Sequence, residues 1–238
     1  RYCRQFEESG IQSRLLWFDL GTTYLSFTEQ YEKAIAAFDK VMQMSLERGG
    51  YWEHDIFYAV YSEALHKAGH HDKEKEICDI GLGINPENIN CIIRQTICYI
   101  SKGDSLAADK NIKKLKSWAQ EINWSESQIA RGRGNLFLNA GDTIEAEKYY
   151  RKAYNLDDKN LWNIFNLSNV LINADINISE GIELAEKAYH IDPESGVSNW
   201  AIGLGFYKQG KFEEAVIHLR KAEEIWSTFH HILHKDLL

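Results

Sequence analysis

The sequence predicts an all-α fold, an α-solenoid of about six antiparallel helix pairs in tandem. Three observations predict it. Small residues return at a period near 34, large apolar or aromatic residues follow them at fixed offsets, and Gly or Pro falls at several of the places where a helix must stop.

Taking Ala215 as an anchor and reading backwards, Gly181, Ala146, Ala108, Glu74 and Ala34 follow at steps of 34, 35, 38, 34 and 40. Five of these six anchors are Ala or Gly, and Glu74 is the exception. The repeats they mark run over 11–48, 51–86, 87–122, 124–158, 159–193 and 194–228. Twelve or thirteen residues before the anchors stand Gly21, Ser62, Thr96, Gly134, Ser168 and Gly203, all small. Three residues after those come Tyr24, Leu65, Tyr99, Phe137, Leu171 and Phe206. Four after the anchors come Phe38, Cys78, Ile112, Tyr150, Ala185 and Leu219.

The columns have a physical cause. Each repeat reads as two amphipathic helices joined by a tight turn. Small residues on the facing surfaces let the backbones approach, and a large neighbour fills the remaining space. Gly69, Gly103, Gly141 and Gly210 fall in the turns, where a left-handed residue is needed. Pro86 and Pro193 each lie twelve residues after an anchor, where the second helix should end. One pair cannot bury its apolar face alone, so neighbours must stack.

"ARGRGNLFLNAGDTIEAEKYYRKAYNLDD" and "WAIGLGFYKQGKFEEAVIHLRKAEEI" resemble the tetratricopeptide repeat, whose 34-residue units read W-x2-L-G-x2-Y, then A-x3-F, then P. "YSEALHKAGHHDKEKEICDIGLGINPEN" and "ISEGIELAEKAYHIDPES" match in part. The resemblance covers about residues 11–226. It implies a right-handed superhelix whose first helices line a concave face. The whole is also similar to repeat arrays at the C-terminal ends of larger bacterial signalling proteins.

Two insertions interrupt the period, "SLERGGYWEHD" between the first two repeats and "SWAQEINWSES" between the third and fourth. Longer helices or loops there would bend a stack. Residues 1–10 read as the remnant of a preceding segment, and the apolar tail 229–238 as a capping helix or the start of a further one. The chain opens Arg1-Tyr2-Cys3 without an initiator Met, as expected for a piece of a longer protein whose targeting signals lie elsewhere.

The 238 residues are 44% hydrophobic, enough for a sizeable core, and carry a net charge of −8. That balance argues against nucleic acid as a partner. No apolar run reaches the length of a membrane span. A cytoplasmic location is the expectation. Cys3, Cys78, Cys91 and Cys98 show no paired spacing and read as free thiols, three of them in apolar helical context.

Function is therefore sought on a surface. The expected role is a non-catalytic scaffold that holds a peptide or helix of a partner protein. On the first helices the fourth repeat offers Arg131 and Asn135, the fifth Trp162, Phe165 and Asn169, and the sixth Trp200 and Tyr207. Aromatic rings give contact area at low entropic cost, and Asn can hold a peptide backbone with a donor and an acceptor. Packing alone is the competing explanation for Trp162 and Trp200. In the second and third repeats, Ala59, Glu63, His66, Ile93, Ile97 and Ile100 take the same places and read as a greasier half.

The resemblance also implies a test for the carboxylate clamp of chaperone-binding members. Arg131 and Asn135 match its first element with Arg for Lys, and Asn166 matches the second. Val197 and Ala201 stand where the third needs two cations, so a true clamp is not expected. No phosphate loop or nucleophile elbow occurs. His66, His70 and His71 read as loop histidines beside Gly69, and His230, His231 and His234 lack a fourth ligand, so neither a metal nor a cofactor is expected. Two rival roles are a regulatory arm of a larger signalling protein and self-association through the tail into a homo-oligomer.

Overall fold

The computed structural model describes residues 13–54 and 56–235, with side chains through Ser227. The described residues form helices and no strand, paired as the columns require. The pairs are α1 (Arg14–Phe27) with α2 (Tyr31–Leu46) and α3 (Phe57–Lys67) with α4 (His71–Ile84), followed by α5 (Ile89–Ser101) and α6 (Ser105–Glu121), where Asn111 of α6 donates to Gln95 of α5 at 3.0 Å. They continue as α7 (Glu126–Asn139) with α8 (Thr143–Leu156), α9 (Leu161–Asn173) with α10 (Ile178–Ile191), and α11 (Gly196–Lys208) with α12 (Phe212–Lys235). The expected remnant at 1–10 lies outside the described residues. The tail's backbone continues α12 as far as Lys235.

The chain divides into two compact units, Arg1–Leu115 and Lys116–Leu238. In the first, α1 packs on α2 and α3 on α4, and the first helices α1, α3 and α5 touch in succession. In the second, α7 packs on α8, α9 on α10 and α11 on α12, with α9 also against α11. A helix that touches its partner and the next pair's first helix is the local rule of a solenoid.

The small column works by close approach. A Cβ added to Gly21 would stand 2.4 Å from the Phe38 ring, one on Gly134 2.5 Å from Tyr150, and one on Gly203 2.7 Å from Leu219. No real side chain fits there, so glycine on the first helix makes room for the large residue of the second. Where the first helix carries serine, its neighbour shrinks. Ser62 faces Cys78, whose thiol donates to the serine Oγ at 3.1 Å. Ser168 donates to the Gly181 carbonyl at 2.7 Å, and Ala185 takes the large residue's place. The anchors Ala34, Glu74, Ala108, Ala146 and Ala215 are all buried.

The turns use one device. Gly69, Gly103, Gly141 and Gly210 sit at φ between 73° and 87°. The next residue's N–H then reaches back to a carbonyl of the first helix: His70 to Leu65, Asp104 to Tyr99, Asp142 to Phe137 and Lys211 to Phe206. This six-to-one bond is the Schellman closure, and each acceptor belongs to the large column that follows the small one. The first and fifth repeats, with an extra residue in the turn, place Glu29 (φ 50°) and Asp175 (φ 53°) in the left-handed region instead. Pro86 and Pro193 each follow the end of a second helix by two residues.

The first insertion folds back on the first pair. Trp52 meets Phe18 edge-on and His54 lies tilted against it, at ring-centroid distances of 5.9 and 4.9 Å, and the Arg14 guanidinium lies 5.4 Å from the Trp52 ring. The second insertion lengthens α6 and turns at Asn123 (φ 61°), which brings Trp118 edge-on to Trp124 at 5.8 Å.

Candidate functional site

The expected contact residues all lie in the second compact unit, on α7, α9 and α11. Local chemistry starts these helices. Ser125 and Gln128 form a reciprocal capping box at α7. The Asn160 side chain caps α9 by accepting from the Trp162 N–H at 3.1 Å, which places Trp162 in the first turn. The same oxygen accepts from Arg131 Nη1 at 3.4 Å, so Arg131 ties α7 to the start of α9. At the other end Lys208 of α11 donates to the Asn173 carbonyl at 3.0 Å and pairs with Asp175 at 2.7 Å. α9 is thus tied to α7 at its start and to α11 at its end.

Asn135 is exposed, and its Oδ1 accepts from the Tyr150 hydroxyl at 2.8 Å. Burial pushes the Tyr150 phenol well above its ordinary value, which keeps it a donor. Asn139 donates to the Asn135 carbonyl at 2.8 Å, and Asn173 repeats the bond on Asn169 at 3.0 Å, 34 residues later. Trp162 is 62% exposed and meets the half-buried Phe165 edge-on at 6.5 Å. Tyr207 is 58% exposed and lies 5.8 Å from Phe212. Trp200 differs: it is half-buried and packs on Ala185, Ala201 and Ile202. For Trp200, packing accounts for much of the ring.

The structure adds a residue that spacing did not single out. Asn163, buried in α9, donates to Ser127 Oγ at 2.7 Å and to the Asp157 carbonyl at 2.9 Å. It locks α9 against the preceding pair. Its polarity on an otherwise apolar helix face was the available signal.

The first compact unit departs from expectation. Ala59 and Ile97 are core residues, Glu63 pairs with the buried Arg94 at 2.8 Å, and His66 turns inward to the buried Glu74. Of this set Ala59 and Ile97 are thus core, Glu63 and His66 face charged partners, and Ile93 and Ile100 are half-buried. His66 and His71 are not loop histidines either, since one ends α3 and the other opens α4, both against the Glu74 carboxylate. Cys78, Cys91 and Cys98 are free and buried, and burial pushes their thiols up to about 12, 11 and 11. Cys3 lies outside the described residues, as do the side chains of His230, His231 and His234. Of the clamp positions, Asn166 and Val197 are half-buried and Ala201 is buried, so no cation stands at the third element. No described helix is long and apolar enough to cross a membrane.

These features define a helix-pair repeat protein that presents side chains on successive first helices. The tetratricopeptide-repeat family model matches residues 16–47 and 132–160. The TPR repeat-containing protein MJ1428 of Methanocaldococcus jannaschii is 24% identical over 205 residues, which cover 83% of this chain and 34% of that protein. Residues 16–47 and 132–160 thus match the tetratricopeptide repeat, and the chain spans about a third of the length of that relative. Among solved structures, a tetratricopeptide repeat protein from Parabacteroides merdae superposes with a TM-score of 0.56 at 14% identity, covering 93% of this chain and 82% of that one. YrrB, described as a TPR protein with an unusual peptide-binding site, aligns with a TM-score of 0.44 at 17% identity over 86% of this chain and all of its own.

Proposed function

We propose that the chain is a protein-interaction scaffold and that α7, α9 and α11 hold an extended peptide or a helix of a partner protein. Arg131, Asn135, Trp162, Phe165, Asn169, Trp200 and Tyr207 are the proposed contacts. One observation carries the reading: Trp162 and Tyr207, two large rings, are 62% and 58% exposed on helices whose ends are tied together. Exposed aromatics on a rigid scaffold offer apolar area at little ordering cost. The 34-residue repeat of Asn135 and Asn139 in Asn169 and Asn173 supplies polar groups in register with it.

A random peptide library selected on the full chain tests the proposal. Enriched peptides are expected to lose roughly tenfold or more in affinity on Trp162→Ala, about 1.4 kcal/mol, and a similar factor on Asn169→Ala. No enrichment, or peptides indifferent to both substitutions, would overturn it.

A further inference from the structure

The second repeat breaks its own rule at Glu74. Every other anchor is Ala or Gly, because two helices nearly touch there. Glu74 is nevertheless 0% exposed. A buried carboxylate is costly unless positive charge or several donors compensate it. The groups that meet it are imidazoles. His66 Nδ1 lies 3.1 Å from both carboxylate oxygens, and His71 Nδ1 lies 3.0 Å from Oε2. The lysines nearby are committed elsewhere: Lys73 pairs with Asp39, Lys75 with Asp79 and Lys102 with Asp72.

We infer that His66, His71 and Glu74 form a site for a divalent transition cation of the zinc type. Two imidazoles and one carboxylate are a donor set that zinc takes in three-ligand sites with an open fourth position. The donor atoms of the three residues lie within 4.8 Å of one another. Bonds of 2.0–2.1 Å at tetrahedral angles put ligand atoms about 3.3 Å apart, so the observed 3.0 and 3.1 Å contacts need only a small spread to admit the ion.

The local fold prepares the site. The left-handed Gly69 closes α3 and turns the chain, so the last turn of α3 and the first turn of α4 present His66 and His71 to the same carboxylate. The His66 side chain is 13% exposed and that of His71 39%. The anion therefore sits at the bottom and one ligand at the mouth, beside an open cleft lined in part by Gly69, His70 and His71. That cleft reaches the site at His71, the side from which an ion would enter. A dication would neutralise the buried charge and join α3 to α4 where other repeats rely on Ala. The inference is independent of the peptide-binding proposal, which concerns the other compact unit.

Co2+ reports the site directly. The full chain, stripped with a chelator and titrated with Co2+, is expected to take up a single equivalent with the intense visible bands of four-coordinate cobalt, which Zn2+ bleaches. His71→Ala removes the most exposed ligand and should weaken binding by at least the roughly 10–100-fold that loss of a ligand's supporting partner costs. A variant with His230, His231 and His234 all changed to Ala should bind as wild type does. X-ray absorption on the zinc-loaded wild type gives a readout free of any folding effect of a substitution, and should show imidazole scattering from two ligands. Absence of the cobalt bands, their survival in His71→Ala, or a zinc shell of oxygen atoms alone would overturn the inference.

Discussion

The second and fourth repeats fill the same places with different chemistry. In the fourth, Gly134 admits the Tyr150 ring and Ala146 lets the helices close. In the second, Ser62 faces Cys78 and the anchor is Glu74, buried as fully as Ala146. Between its two helices the fourth repeat buries no charge, and the Tyr150 hydroxyl leaves through Asn135 to the surface. The second keeps a carboxylate inside and surrounds it with histidines. In both repeats the space between the helices is filled, by a ring opposite a glycine in the fourth and by a carboxylate beside a serine and a cysteine in the second. One repeat thus carries a charged group in its core while the other does not.

The largest test of this comparison is Tyr150→Ala. Tyr150 is among the largest fully buried side chains, and nothing on Gly134 can fill the space. The variant should lose about 3–5 kcal/mol in denaturant unfolding. A loss below about 1 kcal/mol would mean that the fourth repeat collapses freely around the gap.

A smaller effect comes from the ties between second helices. Arg151 of α8 donates to both oxygens of Glu180 of α10, at 2.6 and 3.1 Å, and also pairs with Glu147. Arg151 holds the Glu180 carboxyl below its ordinary 4.5. The folded value lies under the unfolded one, so the contribution is present above about pH 4.5 and is lost as pH falls through the lower folded value. Glu180 is partly exposed, so the effect is modest. Thermal melting should show wild type losing its advantage over Glu180→Gln in acid, and parallel curves would contradict the tie.

Much of the fold was legible because the period is written in residue size. Gly21, Gly134 and Gly203, the anchors, and Gly69, Gly103, Gly141 and Gly210 stand at offsets that allow few backbones other than paired helices. The turns of the first and fifth repeats were less so, since Glu29 and Asp175 take a conformation that non-glycine residues seldom adopt. The candidate surface was legible as positions on helices. Burial was not, because neighbours distant in sequence decide it: Ile97 and Trp200 pack inward while Trp162 and Tyr207 stay exposed. The Glu74 cluster was marked by a charged residue in a column of small ones and by histidines around Gly69 that read as loop residues. His71 lies three residues before it on the same helix, but His66 lies eight before it across a turn, and only the folded pair brings both to one carboxylate.

The account rests on compensation of volume within each pair, and a double-mutant cycle tests that most directly. Gly134→Ser and Tyr150→Cys together write the second repeat's solution into the fourth. Each alone should destabilise, the first by a Cβ that meets the ring and the second by a cavity. Together they should recover about 1 kcal/mol or more relative to the sum of the two. If the two effects simply add, to within about 0.5 kcal/mol, the small and large columns do not compensate each other and the account is wrong.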